Sequence, residues 1–176
     1  MTQRIPLIGI GSPFADDTLG IRLVEALKID GFSAGFGEVA FEFLTFDRPG
    51  WGLLEVFQGV DTAIVVDAMV SGEKQGSVVR LDPSSLPEPV SSVTSHDVGL
   101  LAVLRLGAIL GLLPEGLLLY GIEITPLPAI LDPTPPAPGP VQKTADALRQ
   151  AIIRDLGVWI ASRSMTRENR LPSSSG

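Results

Sequence analysis

The chain of 176 residues contains no cysteine, a single histidine and a single tyrosine. Without cysteine it has neither a disulfide framework nor a thiol nucleophile. Positive charge is also scarce, with 13 Lys and Arg against 20 Asp and Glu, a formal net charge of −7. A nucleic-acid surface needs clustered Lys and Arg, so no nucleic-acid partner is expected. Long apolar runs are missing too. Hydrophobic residues make up 45 % of the chain, but prolines and glycines interrupt each run before it reaches bilayer length, and no membrane partner is expected. The first residues lack the basic, apolar and small-residue order of a signal peptide, which makes the cytoplasm the expected compartment.

What is present reads as one α/β domain. Ile5–Ile10 is a short apolar run with the character of a buried strand. After it, Leu19, Leu23, Val24 and Leu27 recur at helical spacing from about Asp17 to Asp30, with Gly31 as the stop. Glu38–Phe46 places Val39, Phe41 and Phe43 on one face of a strand, and Trp51–Val60 is a short helix. Ala63–Val70 is apolar throughout except for Asp67, as a central parallel strand covered on both faces would be. A turn at Ser71–Gly76 leads to an antiparallel strand at Ser77–Leu81.

A Pro- and Ser-rich loop then precedes an apolar helix from about Ser95 to Leu112, and Gly116–Ile124 is the next strand. Seven prolines between Pro126 and Pro140 predict a stiff, extended loop without regular structure. The last helix, about Val141 to Ser162, carries Val141, Ala145, Leu148, Ile152, Leu156 and Trp159 on one stripe. The order predicts a mostly parallel, twisted five-stranded sheet with helices on both faces, a three-layer α/β/α sandwich. Residues 1–162 form the single domain in this reading, and 163–176 a disordered tail.

The candidate chemistry gathers at the carboxyl edge of that sheet, where open α/β folds bind ligands. The segment Gly9-Ile10-Gly11-Ser12-Pro13-Phe14-Ala15-Asp16-Asp17 is a strand, a tight turn and an acidic pair leading into a helix. Two acids there repel phosphate and suit a cation. Phe14 also stands where a dinucleotide fingerprint needs its third glycine. Asp67 is a carboxylate in an otherwise buried strand, which is costly unless paired, hydrogen-bonded or bound to metal. A cap for a neighbouring loop's amides is the plainer role for it. His96 follows the N-cap candidate Ser95, so it opens a helix whose positive end favours the neutral, ligating imidazole. With one His and no Cys, a transition-metal site must rest on His96 and carboxylates. Of the acidic pair, Asp16 is read as the capping or supporting residue and Asp17 as the ligand.

These residues resemble the maturation endopeptidases of nickel-iron hydrogenases. Gly9-Ile10-Gly11-Ser12-Pro13 with Asp16-Asp17-Thr18-Leu19-Gly20 is similar to the family's first signature, a glycine turn and acidic pair. Ile64-Val65-Val66-Asp67-Ala68 matches a strand ending in D-A, and Ser95-His96-Asp97-Val98-Gly99-Leu100 a histidine opening a helix before G-L. The resemblance implies an endopeptidase that removes the C-terminal extension of a hydrogenase large-subunit precursor after nickel insertion. It implies metal contacts and catalytic roles for Asp17, Asp67 and His96, with nickel arriving on the substrate and no organic cofactor. The expected partner is the large-subunit precursor, approached by a monomer.

Three departures from the family pattern bear on substrate choice. The first turn is one residue shorter between Gly9 and the acids. Many members have D-G-G-T-x-G after the second strand, where this chain has Asp47-Arg48-Pro49-Gly50-Trp51-Gly52; Asp47 and Gly50 are the supporting or substrate-binding candidates of that loop. The proline-rich segment replaces the usual loop after the last strand, although Gly121-Ile122-Glu123 before it is family-like. Two other functions remain open from sequence: a factor that grips the nickel-loaded precursor without cutting it, and a small nucleotide-binding domain of doubly wound type.

Overall fold

A computed structural model of the chain describes residues 3–11, 18–36, 39–83, 95–124 and 138–168. The strands are β1 (Gln3–Gly11), β2 (Val39–Asp47), β3 (Thr62–Met69), β4 (Val78–Leu81) and β5 (Gly116–Glu123). The helices are α1 (Leu19–Ile29), α2 (Gly52–Val56), α3 (Ser95–Leu110) and α4 (Pro138–Glu168). The five strands form one sheet in the order β2-β1-β3-β5-β4. The first four of these are mutually parallel, and β4 closes one edge antiparallel to β5. This is the α/β architecture expected from the pattern of apolar runs.

The alternation of side chains along the strands divides the core into two layers. Ile5 and Leu7 of β1, Ile64 and Val66 of β3, and Tyr120 and Ile122 of β5 face α1 and α4. Ile8 and Ile10, Ala63 and Val65, and Leu117 and Leu119 face α2 and α3. On the first side α4 contributes the stripe Val141, Ala145, Leu148, Ile152 and Leu156. Each fully buried Leu or Ile of that stripe is worth about 2 kcal/mol of transfer free energy.

Several element bounds differ from those expected. The helix after β2 is shorter, ending at Val56. A 3-10 turn at Phe32–Gly35 was not legible as an element; it forms where Phe32, Phe36 and Phe41 pack with ring centroids 4.9 to 5.0 Å apart. The last helix begins at Pro138, inside the segment expected to lack regular structure. A proline in a first turn removes no helical hydrogen bond, because the first-turn N–H groups have no partner in the helix. The helix also runs past Ser162 to Glu168. Arg163 anchors these last turns: its guanidinium lies 5.5 Å from the Trp159 ring centroid and 3.7 Å from both Asp61 and Glu115.

Candidate active site

The chain direction reverses at the centre of the sheet. From β1 it crosses to β2 on one side and then returns to β3 on the other, so the crevice between the carboxyl ends of β1 and β3 is a topological switch point. Gly9 pairs with Val66, which brings Asp67 level with the last residues of β1. Asp67 has the parity of Ala63 and Val65, and this decides its face: it lies on the side of α2 and α3.

A pocket of about 120 Å³ opens there. Ile10 and Gly11 of β1 form one wall, Arg48, Pro49 and Gly50 after β2 the rim, and Leu53 of α2 and Val103 of α3 the apolar floor. Asp67 enters it together with Gly99 and Leu100 of α3. Asp67 is half-buried, and its Oδ1 accepts a hydrogen bond from the Ala68 N–H at 2.9 Å. That bond fixes the plane of the carboxylate.

His96 is the second residue of α3, one helical turn before Gly99 and Leu100. Its backbone is therefore at the end of the helix that meets the pocket, while its side chain lies outside the described residues. Asp16 and Asp17 also lie outside them, in the segment joining Gly11 to Thr18. The N-cap position of α1 is Thr18, two residues beyond Asp16, and the Thr18 side chain makes no capping hydrogen bond. Among the described residues no group of three His, Cys, Asp or Glu side chains is close enough together to hold a metal.

The loop after β2 is more constrained than its sequence suggested. Asp47 is the register partner of Gly11 at the end of the β1–β2 ladder, and the next N–H, of Arg48, still donates to the Gly11 carbonyl at 3.2 Å. Asp47 is exposed, and its Oδ1 accepts from Arg48 Nε at 2.9 Å. Gly50 lines the pocket at φ 50°, a conformation glycine adopts without strain. Arg48 is also left-handed, at φ 47°. No sequence signal marked it, because an arginine does not announce a positive φ.

Glu123 sits at the far end of the same sheet edge and is 2 % exposed. Its carboxylate takes the Ser71 N–H, the Ser71 hydroxyl and the Gly72 N–H at 2.7 to 3.0 Å, clamping the turn after β3. Burial alone would raise its pKa. The hydrogen bonds from Ser71, Gly72 and Glu73 outweigh that cost and hold it below its ordinary value.

With this geometry in place, comparison with known proteins is specific. The sequence profile of the hydrogenase maturation protease family matches residues 49–155, more than half of the chain. The chain belongs to the hydrogenase maturation protease family. The matched stretch holds Gly50, Asp67, His96 and Glu123. A hydrogenase expression/formation protein HupD from Thiocapsa roseopersicina is 30 % identical over 123 residues, 68 % of this chain and 54 % of that protein. The match thus spans about half the length of that curated relative. Among solved structures, the hydrogenase maturating endopeptidase HybD from E. coli superposes with a TM-score of 0.61 at 26 % identity, covering 86 % of this chain and 93 % of that one. An endopeptidase from Escherichia coli solved in solution gives a TM-score of 0.64 at 25 % identity, covering 88 % and 92 %. In an open α/β sheet of this kind the switch-point crevice is the place where a ligand meets strand ends from both halves of the sheet.

Proposed function

We propose that this chain is an endopeptidase that removes the C-terminal extension of a nickel-iron hydrogenase large-subunit precursor, using nickel already held by the substrate as its recognition element. The observation that carries this reading is Asp67, a half-buried carboxylate in the switch-point pocket beside the opening turns of α3. Family membership supports the reaction class.

In this reading Asp67, His96 and Asp17 add oxygen and nitrogen ligands to a metal that the precursor presents. Such donors make a hard, open set that binds a bare ion weakly and completes the coordination of one already held. The Ala68 N–H holds Asp67 in one orientation, so little rotamer freedom is lost when it ligates. α3 starts at Ser95, so His96 lies in its first turn, and the positive end of a helix dipole favours a neutral, ligating imidazole over imidazolium. Asp17 immediately precedes Thr18, the residue that leads into α1.

The test is to incubate the purified chain with nickel-loaded and nickel-free precursor and weigh the products. Cleavage of the loaded form alone is expected. Equal cleavage of both forms removes nickel as the recognition element, and no cleavage of either removes the protease reading. A stable complex with uncleaved, nickel-loaded precursor would instead make the chain an assembly factor.

A further inference from the structure

Arg48 is the one non-glycine residue with a positive φ among the described residues. A glycine would relieve this strain at once. Strain of this kind persists only where the surroundings over-determine it, and such residues cluster at active sites and ligand clamps. Here two contacts hold it. The Arg48 N–H donates to the Gly11 carbonyl at 3.2 Å, and the Nε–H donates to Asp47 Oδ1 at 2.9 Å.

The second contact uses one edge of the guanidinium only. The terminal nitrogens, Nη1 and Nη2, have no hydrogen-bond partner among the described residues. The side chain is about half exposed and lines the same pocket as Asp67. A guanidinium oriented by Asp47, with its terminal N–H groups turned over to solvent at a pocket mouth, is preorganised for a planar two-oxygen anion. The strongly acidic chain and Asp67 in the same pocket repel any anion, and a doubly charged phosphate about twice as strongly as a singly charged carboxylate. A carboxylate carried on a polypeptide fits.

We infer that Arg48 is a specificity-determining residue that binds a carboxylate of the substrate polypeptide close to the scissile bond. This rests on the protease reading above and adds what that reading leaves open, namely which feature of the peptide, besides the metal, is recognised. The carboxylate comes either from an Asp or Glu side chain near the cut or from the free C-terminus of the extension.

The experiment compares wild type with Arg48→Gly and Arg48→Gln on nickel-loaded precursor, measuring KM and kcat separately together with thermal midpoints. Arg48→Gly is expected to raise Tm, because the strain is gone, yet to raise KM about ten- to a hundredfold with little change in kcat. Added guanidinium chloride at low millimolar levels should recover part of the loss in Arg48→Gly. Precursors with amides replacing the acids near the cut, and others with the extension lengthened by a few neutral residues, identify the source. The one that abolishes the difference between wild type and Arg48→Gln carries the carboxylate. A higher Tm with unchanged KM for Arg48→Gly would overturn the inference and leave the protease reading intact. If wild type binds precursor without cutting it, the protease reading fails, and equal precursor affinity of wild type and Arg48→Gln then overturns the Arg48 inference independently.

Discussion

A β-carbon on Gly9 would lie 2.5 Å from the carbonyl oxygen of Gly20, so these two glycines set how closely α1 approaches β1. On the other side, a β-carbon on Gly20 would run into the carbonyl oxygens of Ile10 and Val66. The obstacle in each case is backbone, which cannot step aside as a flexible side chain would. Gly20→Ala should therefore cost about 3 kcal/mol, at the upper end for overpacking, in urea unfolding followed by tryptophan fluorescence. Gly157 in α4 is the control. A β-carbon there meets nothing within 4 Å, so Gly157→Ala should stabilise by about 1 kcal/mol. A neutral Gly20→Ala would show that α1 is free to lift from the sheet.

Asp67→Asn keeps an acceptor for the Ala68 N–H and loses the charge. Its thermal midpoint should stay within about 3 °C of wild type, while precursor processing falls at least ~100-fold. Circular dichroism melting and a processing time course check the two halves. Normal processing by this variant would move the site away from Asp67.

Glu123 makes the fold sensitive to acid. Its ionised form is favoured in the folded chain, so its contribution is present above the ordinary carboxyl value of 4.5 and is lost as the pH falls through the lower, folded-state value. Glu123→Gln sets an amide NH₂ among N–H donors and should cost about 2 kcal/mol at neutral pH. The gap to wild type should close on acidification, as read from urea midpoints across the pH range. A gap independent of pH would show that shape rather than charge holds the turn at Ser71 and Gly72.

Tyr120 is the only tyrosine, and it is fully buried with its hydroxyl donating to Asp155 Oδ2 at 2.9 Å. Burial raises its pKa above the ordinary value of 10, and Asp155 adds to this, against the opposing pull of Arg80 and Arg154. The stability tied to the neutral phenol is present below pH 10 and lost as the pH rises beyond it. In an alkaline titration phenolate absorbance should thus appear together with unfolding, and a separate earlier step would contradict the burial. Tyr120→Phe should cost about 1 kcal/mol.

Much of the fold was legible because each strand and helix carries its own period. The division of β3 into Ile64 and Val66 on one face and Ala63, Val65 and Asp67 on the other is a consequence of strand geometry alone. The 3-10 turn after α1 was not legible, since three phenylalanines from two segments define it. The start of α4 within the proline-rich segment was missed for a related reason: proline forbids a helix interior and tolerates a first turn, and composition does not say which applies. Of the candidate site, Asp67 stood out as a lone charge in an apolar strand. Arg48 did not, because its importance lies in a backbone angle and in the strand ends it bridges.

By itself, the sequence determined the order of elements, the absence of thiol chemistry and which histidine and carboxylate side chains the chain has to offer. These follow from local periodicity and from which side chains exist at all. Tertiary structure alone decided that Asp67 and the first turns of α3 share one face at a switch point, since strand order is set by how apolar faces pack across the sheet. It also decided that Gly9 and Gly20 serve helix-to-strand contact, and that Arg48 is held at the mouth of the pocket. Both depend on backbone from distant parts of the chain arriving within contact distance, which no local pattern of residues encodes.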